Sequence, residues 1–193
     1  MNSQELDLAV KQKIEGIELA SLVGLIIFAM LFAGLFLGLV LTRDAQNVWP
    51  PPSFALVSWV KPALATFIIC LSSMTLYLSQ KHSILYTKIT ILLGVVFLLI
   101  QVSYWSELNQ LGFNVETGVF ASFLHALTWV HAAHILLGLL FLFLYFFKLK
   151  QLPAMSFSHR AETVSKLTFY INFWHFLTVV WIVLLLGLFA PLS

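Results

Sequence analysis

Four of the six histidines fall inside long apolar stretches, His125, His131 and His134 on one and His175 on another. His131 and His134 are three residues apart and so share a face of a helix. Imidazole is a common metal ligand, and paired helical histidines can hold haem or copper. The plainer reading is that neutral imidazoles hydrogen-bond between helices, as Ser, Thr and Asn do in membranes. No Cys or carboxylate accompanies these histidines, and imidazole alone is a weak metal signal. His131, His134 and His175 are therefore expected to bond between helices and to hold no metal. Trp129, Trp174 and Trp181 are near them in sequence and could bury indole against the same polar positions.

The chemistry that is missing is equally informative. No Asp, Glu, Lys or Arg occurs from Leu19 to Thr42, Pro62 to Gln80, Ile89 to Ser106, Thr117 to Phe147 or Leu167 to Ser193. Ion carriers, proton pumps and voltage sensors place ionisable groups within such stretches. Glu18, Glu107 and Glu116 fall at the ends, within reach of water. The single Cys, Cys70, allows no disulfide framework or Cys-based metal site and reads as a small core residue.

The elements that must position these residues are membrane helices. Of 193 residues, 61% are apolar and only 9% are charged, against about 25% charged in an average soluble domain. Each of the five charge-free stretches can cross a hydrocarbon core of about 30 Å as a helix, and backbone in lipid must satisfy its own hydrogen bonds. The expected fold is an all-α bundle of five transmembrane helices. Residues 1–16 form a polar N-terminal segment, read as a surface helix and not as a cleavable signal, and residues 17–193 form one transmembrane domain. Trp49-Pro50-Pro51-Pro52 ends the first connection, Gln80-Lys81-His82-Ser83 is a tight turn, and the longest connection runs from about Lys148 to Lys166.

With the N-terminus in the cytoplasm, Lys11, Lys13, Lys81, Lys88, Lys148, Lys150, Arg160 and Lys166 lie inside. Arg43 and Lys61 lie outside, as does the C-terminus. This is the asymmetry expected of the positive-inside rule. Trp49 and Trp59 are then placed to anchor the outer interface. Small residues let membrane helices approach closely, so Ala29, Ala33 and Gly34 on the first span, with Ser72 and Ser73 on the second, are candidates for a partner interface. Packing within the bundle would use the same residues.

Beyond this point the motifs lead. Phe32-Ala33-Gly34-Leu35-Phe36 with Trp49-Pro50-Pro51, Leu71-Ser72-Ser73-Met74-Thr75-Leu76, Leu92-Leu93-Gly94-Val95-Val96-Phe97 with Gln101 and Trp105, Thr128-x-x-His131-x-x-His134-x-x-x-Gly138, and Phe173-Trp174-His175-Phe176 with Val180-Trp181 occur in this order. The chain resembles subunit III of the haem–copper terminal oxidases, in its five-helix form. The resemblance implies a non-catalytic accessory subunit of a bacterial cytochrome c oxidase in the cytoplasmic membrane. Such a subunit packs against catalytic subunit I, holds phospholipid in its clefts, and has no haem or copper of its own; those belong to the partner. His131, His134, His175, Trp174, Trp181 and Gln101 become candidates for structural polar positions or for the lining of a lipid cleft.

The departures concern acids. Where the family usually has Ser-Glu in the first span, the alignment gives Ile27 and Phe28. The usual Glu of the third span is Tyr104, and the usual Asp after the last WHF is Thr178. Any support of proton uptake by those acids is in doubt here. Their loss leaves room for a related accessory protein of a nitric oxide reductase. A stand-alone lipid or small-solute transporter is the alternative from another class.

Overall fold

The structure, a computed structural model, describes residues 3–79, 84–155 and 157–189. It contains five long α-helices: α1 (Ser3–Asp44), α2 (Val60–Ser79), α3 (Ile84–Gln110), α4 (Val119–Gln151) and α5 (Phe157–Phe189). Among the described residues there is no β-strand. All five helices are long and apolar enough to cross a membrane, as the charge-free stretches predict. The chain is an integral, multi-pass membrane protein.

Helix α5 is the hub. It packs against α1, α2 and α4, while α3 closes the bundle against α2 and α4. Of the most apolar window of each span, 56% is buried in α5 and only 11% in α1. Thus α1 is a peripheral helix that touches the bundle along one edge. Its buried edge includes Phe32 and Leu39, whereas Leu22, Ile26, Met30 and Leu37 face outward. Lipid or another membrane chain suits such a face, because neither demands polarity.

Two layers of core fill the bundle. One is built around Ile69, Leu76, Phe97, Ile135, Leu142 and Trp174. The other is built around Leu39, Phe54, Leu108, Leu124 and Leu188 and is capped by the first connection. That connection carries Trp49, a cis bond to Pro50, and a 3-10 turn at Pro52–Leu56. Trp49, expected to anchor the outer interface, is packed into the protein at this end of the bundle. It is 4% exposed, and its indole N–H donates to the Leu188 carbonyl at 2.8 Å. The last turn of a helix leaves carbonyls without intrahelical donors, and Trp49 satisfies one of them. Trp59 is half exposed and packs edge-on to Phe54 and Phe189.

Helical structure also extends further than the charge-free stretches. α1 passes through residue 16 without a break, so the polar N-terminal segment continues the first span. The expected long connection from Lys148 to Lys166 is largely helical: α4 continues to Gln151 and α5 begins at Phe157, with a 3-10 turn at Leu152–Ala154 between them. The polar residues there occupy helix ends. Glu162 bonds Lys166 one turn on and reaches Lys13 of α1, both at 2.8 Å. Between α3 and α4, Gly112 (φ +82°) and Gly118 (φ +150°) take backbone conformations that favour glycine. The tight turn expected at residues 80–83 and the C-terminal residues 190–193 lie outside the described residues.

The helix ends sort the charges. Lys13 meets Glu162, and Lys88 and Lys150 converge on Phe146, at one end of the bundle. At the other end Arg43 donates to the Gly187 carbonyl and Lys61 pairs with Glu107 at 2.8 Å.

Candidate functional site

The polar side chains of the interior gather along α2, α5 and the facing sides of α3 and α4. The best-defined part is a ladder between α2 and α5, which run antiparallel. The Trp181 indole N–H donates to Thr66 Oγ1 at 3.1 Å, and the Trp174 indole N–H donates to Ser72 Oγ at 3.2 Å. His175 Nδ1 bonds Ser73 Oγ. Thr66 and Ser73 are seven residues apart, two helical turns, which puts them on one face of α2. Ser72 also donates to the Thr90 carbonyl of α3 at 3.2 Å, and Thr75 bonds Thr90 at 2.9 Å. Small hydroxyl residues thus draw three helices together, as packing without a hydrophobic drive requires.

This ladder corrects the expected partner surface. Ser72 is fully buried and Ser73 is partly buried against His175. Their hydroxyls are spent within the bundle, so Ser72 offers nothing to a neighbouring chain. Ala29, Ala33 and Gly34 are different. All three are exposed on the outer face of α1, and a methyl group added at Gly34 would meet no other atom within 4 Å. Cys70 is partly buried against the core.

The histidines divide. His175 bonds between helices as expected. His134 instead turns Nδ1 to the Val130 carbonyl of its own helix, at 2.7 Å. His131 is fully buried, and neither ring nitrogen has a hydrogen-bond partner. Its ring lies among Phe32, Phe97 and Trp181, with centroids 6.1, 6.0 and 5.3 Å away. His125 reaches the Phe113 carbonyl at 2.7 Å and ties the α3–α4 connection to α4. Among the described residues, no three His, Cys, Asp or Glu side chains gather closely enough to share a metal ion.

Gln101 faces this region from α3. It is 2% exposed and its Nε2 has no partner. One turn before it Phe97 touches His131; one turn after it the Trp105 indole N–H donates to Thr128 at 3.0 Å. Trp174 is among the largest fully buried side chains, wedged between two helices where only glycine leaves room. A Cβ at Gly94 would stand 2.7 Å from its ring, and one at Gly138 would stand 3.0 Å from it.

The sequence readings missed Thr66 and the links of Trp49 and Lys13. Thr66 carries a recoverable signal, its two-turn spacing to Ser73. Trp49 carries none, because only the folded chain brings it to residue 188.

What this seam can do is hold helices at fixed distances. Apart from His131 and Gln101 Nε2, its groups are donors matched to acceptors, with aromatic rings filling the remainder. The cytochrome c oxidase subunit III family model matches residues 6–190.

The chain belongs to that family. It is 30% identical over 148 residues to a probable cytochrome c oxidase subunit 3 of Rickettsia prowazekii, covering 72% of this chain and 51% of the relative. It is 29% identical over 174 residues to the cytochrome c oxidase subunit 3 of Thermostichus vulcanus, covering 86% and 83%. It is 28% identical over 165 residues to the cytochrome bo(3) ubiquinol oxidase subunit 3 of Buchnera aphidicola, covering 81% and 76%. The chain thus spans about half the length of the Rickettsia relative and most of the length of the other two.

The three positions that the sequence reading sets against acids of the family, Phe28, Tyr104 and Thr178, all adjoin the seam. Phe28 packs edge-on to His134, with centroids 5.1 Å apart. Tyr104 is buried one turn along α3 from Gln101. Thr178 is buried on α5 between Trp174 and Trp181 and donates back to the Trp174 carbonyl at 3.2 Å. Aromatic packing and a local hydroxyl bond occupy these three positions.

Proposed function

We propose that this chain is a non-catalytic accessory subunit of a bacterial aerobic terminal oxidase. It sits in the cytoplasmic membrane with its N-terminus inside and its C-terminus outside. It packs against the haem–copper catalytic subunit and, with bound phospholipid, stabilises the complex. One observation carries the reading: the family match runs nearly end to end over a bundle whose buried polar groups, in large part, bond to one another. A catalytic or conducting chain needs reactive groups aimed at a substrate or a path, and the described seam aims its groups inward.

The exposed small-residue face of α1, with Ala29, Ala33 and Gly34, supports a close approach by another membrane helix. The sorting of Lys13, Lys88 and Lys150 to the opposite end from Arg43 and Lys61 supports the orientation. The replacement of acids at Phe28, Tyr104 and Thr178 favours a second reading, an accessory protein of a nitric oxide reductase. Purification of the tagged chain in mild detergent separates them. A co-purifying haem–copper oxidase supports the first reading, and a nitric oxide reductase supports the second. A colourless chain that purifies alone, from membranes in which both enzymes are present, contradicts both and favours a transporter.

A further inference from the structure

We propose that the end of the bundle carrying Arg43 and Lys61 has a docking pocket for a partner protein, filled by an extended segment with a bulky apolar anchor beside basic residues. A cavity of about 370 Å³ lies there between the first connection and the one that joins α3 to α4. Its lining includes Trp49 and Phe120, both buried, and the half-buried Phe113. Both walls are pinned to helices. Trp49 donates to the Leu188 carbonyl at 2.8 Å, and His125 Nε2 bonds the Phe113 carbonyl at 2.7 Å. Walls already fixed lose little freedom when something binds, which favours association. Val48, Leu111 and Val119 also line the cavity and are exposed. Exposed apolar side chains gathered at one cavity mark an interaction site.

The charges select the occupant. Asp44 is two residues before Gln46 and Glu116 is next to Thr117, and Gln46 and Thr117 both line the cavity. Each wall therefore brings an acid. Both acids are exposed, and neither is in an ion pair among the described residues. The cations of this end are engaged elsewhere, Arg43 on the Gly187 carbonyl and Lys61 on Glu107 and the Ser103 carbonyl. An apolar hollow with unpaired carboxylates in its walls complements an apolar side chain flanked by Arg or Lys. An anionic lipid surface would be repelled by the same acids. A second copy of this chain would bring those acids again, with the same engaged cations. A small organic cation would leave Val48, Leu111 and Val119 facing water, whereas a polypeptide covers them. The site stands on this end of the bundle alone and does not depend on which enzyme the chain joins.

The test is fluorescence anisotropy of a labelled hexapeptide, Gly-Arg-Leu-Phe-Arg-Gly, titrated with the full chain in phosphatidylcholine nanodiscs, with empty nanodiscs as the blank. We expect saturable binding. A peptide with Glu for both Arg, or Ser for Leu and Phe, should bind at least about tenfold more weakly. Asp44→Asn and Glu116→Gln should each weaken binding about threefold, as for exposed ion pairs. Ser53 is an exposed residue of the lining. Ser53→Trp fills the cavity and should weaken binding about tenfold, while Ser53→Ala should keep it. Glu15→Gln, at the opposite end of the bundle, should leave it unchanged. No saturable binding, equal binding of the three peptides, full binding by both acid variants, or an equal loss in Glu15→Gln would each overturn the proposal. So would a dimer of the chain that Ser53→Trp disperses, which would give the pocket to a second copy.

Discussion

The Phe28 ring meets His134 edge-on, with centroids 5.1 Å apart and planes at 89°. A ring that cannot ionise thereby fills a position where the resemblance leads one to expect an interior carboxylate. Tyr104 and Thr178, at the other two such positions, do not titrate near neutral pH, since the reference Tyr pKa is about 10 and a Thr hydroxyl does not ionise there. Tyr104→Phe and Thr178→Val in the assembled complex should therefore leave proton stoichiometry and its pH profile unchanged. Proton uptake assays on reconstituted complex would check this, and lost pumping at normal assembly would refute it.

His131 and His175 should respond oppositely to the same substitution. His131→Phe removes two polar nitrogens that have no partner and adds a ring to an aromatic cage. Removing unpaired polar groups from an interior is close to neutral or favourable. His175→Phe removes the partner of Ser73 and should cost about 1–2 kcal/mol. Thermal unfolding of the two variants in one detergent measures the difference, and the expected order is His131→Phe at or above the parent and His175→Phe below it.

Gly94 and Gly138 should tolerate no added methyl group. Each would drive a Cβ into Trp174, which is held by its bond to Ser72 and cannot swing away freely. Overpacking of this kind costs about 1–3 kcal/mol. Gly34→Ala on the outer face of α1 is the control and should leave the melting temperature of the isolated chain unchanged. A destabilisation by Gly34→Ala equal to that by Gly94→Ala would contradict the packing described.

Trp49→Phe keeps the ring contact with Phe120 but deletes the bond to the Leu188 carbonyl. It should cost about 1 kcal/mol and loosen the segment from residue 45 to 59. Limited proteolysis should then cut within that segment faster than in the parent, with the remaining spans equally resistant.

The spans were legible because a charge-free run of helix-crossing length has few other uses in a chain. Their ends were less so, since Glu162, Lys166 and Lys13 look like connection residues until pairing shows them within helices, tying α1 to α5. Ser72 is ambiguous in sequence for a related reason: a small polar residue on a membrane helix suits a neighbour inside or outside the bundle equally well. Its partner, Trp174, is 102 residues away. His131 was expected to find a partner because buried polar groups usually do. Which face of α4 would turn into the aromatic cage depends on α1 and α5, and no local pattern records it.

The most direct measurement is the identity of what co-purifies with the tagged chain in mild detergent, read by mass spectrometry and visible absorbance. A haem–copper oxidase catalytic subunit is expected in a stable ratio to this chain, with association weakened by Ala33→Leu on the exposed face of α1. Purification of the chain alone, from membranes whose oxidase is recovered intact without it, would contradict the account.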